Sequence, residues 1–156
     1  MEMKLLKETE NMNRLNDFLV SKYDLPRIRT SELIICFCSA KKSSDLGIVS
    51  NKAYAVIGDK YLDAILLDYM YKVEGYLSEE QLNHRREVFT GNEMHKDIMI
   101  KSRLADFVMN GDGETLTQVR TVKKTLSAVY ESFIYVIHKE LGETALLSLI
   151  KKIYNF

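Results

Sequence analysis

The sequence predicts an all-α domain. Apolar residues recur at spacings of three and four rather than two. The chain has one proline, Pro26, and only seven glycines in 156 residues. Together these favour helices throughout and leave few breaks between them. The length suits one domain with a real core, expected to span residues 1–156.

The elements follow from local signals. Met12, Leu15, Phe18 and Leu19 line a first helix that must end before Pro26. Ser31 can cap a second helix whose apolar content runs from Leu33 to Ala40. Residues 41–47, KKSSDLG, read as a polar loop. A long helix is expected from about Ser50 to Val73. Ser78-Glu79-Glu80-Gln81 is a capping box opening a helix to about Phe89. Asn92 is a candidate cap for the next segment, with Met94, Ile98, Leu104, Phe107 and Val108 facing inward. Asn110 to Glu114, NGDGE, is the clearest turn. A helix from Thr121 to about Glu140 is stopped by Gly142, and Glu143 to Tyr154 form the last.

Composition narrows the function. Lys plus Arg and Asp plus Glu number 22 each, so any nucleic-acid surface is a local patch rather than the whole chain. The longest apolar runs fall far below the ~20 residues that span a bilayer, so no membrane partner is expected. The charged start, MEMKLLKETE, does not read as a secretory leader. Cys36 and Cys38 sit two apart, a spacing that suits neither a helical disulfide nor a zinc site. They read as reduced, buried thiols of a cytoplasmic protein. His84, His95 and His138 are scattered and read as surface or partly packed residues.

Two acids stand out. In TLSAVYESFIYVI, residues 125–137, Glu131 is the only carboxylate. Burying a lone carboxylate costs several kcal/mol by order of magnitude unless it is paired, protonated or bound to metal. Glu131 can instead point outward through a narrow polar stripe shared with Ser127 and Ser132. Asp59 poses the same choice in AYAVIGDKYLDAILLDYMYKV, residues 53–73, where a helix-surface carboxylate is the plain alternative.

YAVIGDKYLDAILLDYMY resembles the first signature helix of the ribonuclease III family, roughly LEFLGDAVLE followed by an apolar helix. KTLSAVYESFIYVIHKELG resembles its second signature, ILADAFEALIGAIYLD. Between them, LNHRREVFTGNEMHKDIMI is similar to the segment L-x-x-R-x-x-L-V-x-x-N-x-x-L. SELIICFCSAKKSSDL falls where the family has LLxxALTHxSY, with Ser39 near its serine. The likeness runs from about residue 31 to 153.

The resemblance implies a ribonuclease III-like endonuclease helical bundle and places the family's catalytic Asp on Asp59 and a catalytic Glu on Glu131. Its other central carboxylates fall on Ala55 and Ala128, and a further upstream Glu falls on Lys52. The compact Mini-ribonuclease III branch is similar, with Ala at the first position, no Asp in the second signature, and no separate double-stranded-RNA-binding domain. It also has a long basic loop where this chain has NGDGETLTQVRT, and a Gly where this chain has Tyr135.

The chemistry implied by the resemblance is Mg²⁺-assisted (or Mn²⁺-assisted) phosphodiester hydrolysis, with Asp59 and Glu131 as metal ligands and Asp63, Glu79 or Glu80 orienting a metal water. Double-stranded or structured RNA would be gripped by Lys41-Lys42, Lys52, Arg85-Arg86, Arg103 and Lys123-Lys124. A homodimer is expected, its apolar face made by Tyr54, Ile57, Tyr61, Ile65 and Tyr69. Two rivals remain: a catalytically impaired RNA-binding or heterodimerising subunit of the same fold, and an unrelated all-α interaction domain.

Overall fold

The structure, a computed structural model, describes residues 5–76 and 78–156. Nine α-helices make up the described fold: α1 (Leu6–Tyr23), α2 (Thr30–Phe37), α3 (Ala40–Leu46), α4 (Lys52–Tyr69), α5 (Glu79–Phe89), α6 (Asn92–Lys101), α7 (Leu116–Val119), α8 (Lys123–Leu141) and α9 (Glu143–Tyr154). A π-helical turn, Met70–Glu74, prolongs α4, and a 3₁₀ turn, Leu104–Phe107, follows α6. Among the described residues the only extended pairing is an isolated parallel bridge between Cys38 and Met109. No described helix is long and apolar enough to cross a membrane.

α8 is the central post, and α2, α4, α6 and α9 pack around it. Its sequence dictates this: Leu126, Val129, Tyr130, Phe133, Ile134, Val136 and Ile137 are all fully buried, so apolar residues cover most of its circumference. Phe37 of α2 meets Phe133 edge-on at 5.9 Å between ring centres. α4 presents Ala55, Gly58, Leu62 and Leu66 to the interior, one residue every third or fourth position. At Gly58 the two helices come so close that a Cβ there would lie 1.7 Å from the Glu131 carbonyl oxygen. Only glycine permits that crossing.

Residues 41–47 are not the expected loop. They form α3, because Ser39 caps it by accepting from the Lys42 amide at 3.1 Å. The Ser39 hydroxyl is itself anchored on Glu114, far along the chain. The Ser78–Gln81 capping box opens α5 as the sequence predicts, and Gly142 ends α8 with a φ of 90°. α6 begins at Asn92 with Gly91 as its cap, and its buried residues are His95 and Met99 rather than Met94 and Ile98. The predicted second helix is shorter than expected, ending at Phe37 before the Cys38–Met109 bridge. Both cysteines are free and buried, and burial pushes the Cys38 thiol up to about 12.

Candidate active site

The crossing of α4 and α8 brings Asp59 and Glu131 into one electrostatic neighbourhood. Burial is the first cause that holds the Asp59 carboxyl above its ordinary range, followed by the charges of Glu131 and Asp63. Asp59 keeps 37% of its side chain exposed, and the cation nearest it is its neighbour Lys60 at 4.0 Å. Glu131 is more enclosed, 17% exposed. A proton on Asp59, or a cation close to it, relieves the part of the penalty on Asp59 that comes from the Glu131 charge.

Glu131 does not leave the protein through a solvent-facing polar stripe. Ser127 and Ser132, its expected companions on that stripe, are both buried. Ser132 Oγ lies 2.7 Å from the Ala128 carbonyl and 3.0 Å from the Asn51 carbonyl, its one proton shared between them, which ties α8 to the start of α4. Ser127 Oγ lies 2.8 Å from Glu131 Oε1, 2.8 Å from the Asn92 side-chain oxygen and 3.0 Å from His95 Nδ1. A hydroxyl has one proton to give, and the carboxylate is the stronger acceptor. The arrangement is satisfied when Nδ1–H of His95 donates to Ser127 and Ser127 donates to Glu131. His95 Nδ1 is also 3.5 Å from Glu131 Oε1.

His95 is therefore neither at the surface nor only partly packed, the two places its isolation in the sequence suggested. Its side chain is almost wholly buried, its ring lies 4.9 Å from that of Tyr130, and its Nε2 has no hydrogen-bond partner among the described residues. The signal that could have found it is its position: four residues before Met99, on the same α6 face that meets α8.

Most of the other predicted residues are engaged elsewhere. Asp63 is one turn beyond Asp59 and is bridged through Oδ2 to Arg86 at 3.2 Å across α4 and α5, while its Oδ1 has no hydrogen-bond partner among the described residues. Arg85 makes a two-pronged pair with Glu74, at 3.3 and 2.9 Å, and lies over the Phe89 ring. Lys123 pairs with Glu93 at 3.2 Å. Lys42 is paired with the buried Glu8 at 2.8 Å and Lys41 with Asp45 at 2.5 Å. Arg103 pairs with Asp106 at 3.1 Å. Glu79 and Glu80 are exposed in the first turn of α5. Lys52 and Lys124 line one cleft together with Ala128. Of the expected apolar face, Tyr61 stacks on His138 at 4.2 Å, Tyr69 on Phe156 at 3.9 Å, and Tyr54 packs edge-on to Tyr135 at 4.9 Å. Val56 and Ile57 remain outward, 66% and 39% exposed.

The chain is thus an all-helical bundle with two acids near one helix crossing. No family model matches the chain. Ribonuclease 3 of Borreliella burgdorferi is 24% identical over 134 residues, covering 85% of this chain and 55% of that protein. Ribonuclease 3 of Borreliella afzelii is 26% identical over 93 residues, 60% of this chain and 38% of that one. The nuclease domain of ribonuclease III from Campylobacter jejuni superposes with a TM-score of 0.77 at 21% identity, covering 89% of this chain and 96% of that one. That domain was described for structural flexibility in a region involved in dimer formation. A 2.2 Å crystal structure of the same nuclease domain gives a TM-score of 0.74 at 22% identity, over 90% and 95% of the two chains. In fold the chain is similar to the ribonuclease III nuclease domain, and in sequence it resembles proteins named ribonuclease 3. It spans about half the length of the curated relatives it matches.

Proposed function

We propose that this chain is a cytoplasmic, divalent-metal-dependent endoribonuclease that hydrolyses phosphodiester bonds of double-stranded or structured RNA as a two-fold dimer, from one domain over residues 1–156. The observation that carries this reading is the pair Asp59 and Glu131, set on different helices that cross at Gly58, next to Asp59 in the chain and against the Glu131 backbone. The likeness to proteins named ribonuclease 3 supports the substrate class.

The pair fits a hard cation. Mg²⁺ is commonly held by one or two carboxylates, with waters and substrate phosphate oxygens completing its shell. The repulsion at Asp59 is what such an ion relieves. Asp59 and Glu131 would hold the ion, with Asp63 one turn beyond Asp59 as a further candidate. When bound, Mg²⁺ (or Mn²⁺) supplies Lewis-acid activation of water and charge neutralisation at the phosphate. The rest is the work of the chain. Ser127 and His95 hold the Glu131 carboxylate in one orientation, and Arg86 holds Asp63 by its Oδ2 one turn beyond Asp59.

The second reading, an impaired RNA-binding or heterodimerising subunit, is favoured by Ala55 and Ala128, which carry no ligand where the family resemblance leads one to expect carboxylates. One experiment separates the two. Purified protein is incubated with a long RNA duplex with and without Mg²⁺, beside Asp59→Asn and Glu131→Gln. The nuclease reading expects metal-dependent cutting that falls at least ~100-fold in each variant. Duplex binding without cutting establishes the second reading instead.

A further inference from the structure

Lys52 and Asp59 are seven residues apart on α4, and Lys124 and Glu131 are seven apart on α8. Seven residues make two turns, about 10.5 Å along the axis, and return to the same helix face. The two acids sense each other's charge, and the two lysines line one cleft. The crossing helices thus carry a pair of acids at one level and a pair of lysines two turns toward their N-termini.

The cleft has a volume of about 310 Å³, and Ser39, Asn51, Thr125 and Ala128 complete much of its wall. No acidic side chain lines it. Ala128 is one turn before Glu131, so the cleft lies alongside the acid pair on α8. Lys123 is paired with Glu93, Lys42 with Glu8 and Arg86 with Asp63. Among the described residues Lys52 and Lys124 are exposed, form no ion pair and line the same cleft. An anion entering that cleft meets both ammonium groups and no carboxylate.

We propose that the Lys52–Lys124 cleft grips a phosphate of the RNA strand that Asp59 and Glu131 would cut, close to the scissile one on the same strand. The proposal rests on the duplex-RNA reading above. A nucleic acid is the anion that fits, because its phosphates repeat along a strand. One can then occupy the cationic level while another, a nucleotide or two along, occupies the acidic level. A free monoanion would satisfy the lysines but not link the two levels.

The test reads binding rather than cutting. A fluorescent RNA duplex is titrated with the Glu131→Gln chain in the absence of divalent metal, across a series of KCl concentrations. Adding Lys52→Ala with Lys124→Ala should weaken binding roughly tenfold and make the log–log salt dependence shallower by about one to two. Lys52→Arg with Lys124→Arg should keep both. The comparison pair is Lys72→Ala with Lys151→Ala, exposed lysines of another cleft, which should leave the salt dependence unchanged. Circular dichroism checks that each variant is folded. The proposal is overturned if the Lys52/Lys124 alanine pair leaves the salt dependence unchanged, if the comparison pair has an equal effect, or if the parent chain binds no duplex. Metal-dependent cutting with an unmoved salt dependence sinks the cleft and spares the nuclease reading. A cleft-dependent salt response in a protein that never cuts does the reverse.

Discussion

Asp59 concentrates the physics of the site in one carboxyl group. Its folded pKa is raised above the ordinary 3.8 by burial first and by Glu131 and Asp63 after it. An acid whose folded pKa is raised holds its proton more tightly in the native state, so ionising it opposes folding. The penalty is absent below the unfolded pKa, grows as pH rises toward the folded pKa, and is complete above it. Asp59→Asn should therefore raise the thermal midpoint near neutral pH and leave it unchanged at about pH 3, read by differential scanning calorimetry. Mg²⁺ should raise the midpoint of the parent protein and not that of the variant, since an ion bound only to the native state stabilises it. A variant no more stable at neutral pH would show that the carboxylate is not under strain. His95 is the residue that reading along the chain missed. Nothing in its own stretch of sequence marks it as a partner of Glu131; α6 docking on α8 makes the contact.

The decisive element contact is between α4 and α8. A methyl group at Gly58 would stand 1.7 Å from the Glu131 carbonyl oxygen and 2.7 Å from its carbonyl carbon, both backbone atoms that no rotamer change can move aside. The helices must separate to admit it. Gly58→Ala should then destabilise the fold by about 3 kcal/mol or more, the upper range for overpacking a core, as a shift in urea midpoint at unchanged m. It should also depress cutting, because Glu131 moves with the backbone it sits on. A variant as stable as the parent would mean that the crossing is looser than described. Two signals with purely local logic were legible. The Ser78–Gln81 box and the Gly142 stop are satisfied within a few residues. α3 reads as a loop in the sequence although its Ser39 cap on the Lys42 amide is equally local; what lay beyond local reading is the anchoring of Ser39 on Glu114, 75 positions on.

At the scale of the molecule, α8 is the hub. Its acidic companion comes from α4, the hydroxyl relay from α8 and α6, and an outer clamp from α2. In that clamp Arg29 grips Glu140 with bonds of 2.7 and 2.9 Å, while Glu32 binds Lys139 and Tyr54, both at 2.8 Å. Part of the apolar face expected to meet a second copy is covered by the chain itself, through Tyr61 on His138 and Tyr69 on Phe156. Val56 and Ile57 stay outward on α4, next to the acid at 59. The dimer reading predicts a two-fold mass by sedimentation velocity and a monomer for Val56→Asp with Ile57→Asp, with the helical spectrum kept. A parent protein that sediments as a monomer at every concentration would sink the dimer.

By itself the sequence determined what is local. Periodicity, few breakers and capping pairs specify helices within a turn or two of each residue, and the expense of an acid among apolar neighbours singled out Asp59 and Glu131. The tertiary structure decided what those acids face. Asp63 and Arg86 are 23 positions apart, and His95 and Ser127 are 32 apart, so no local rule could tell that Asp63 would be tied to a base while Glu131 was held by a buried serine and histidine. Such pairings depend on how helices dock, and docking is set by the shapes of packed faces summed over the whole core. One glycine at the α4–α8 crossing is where that sum becomes a site.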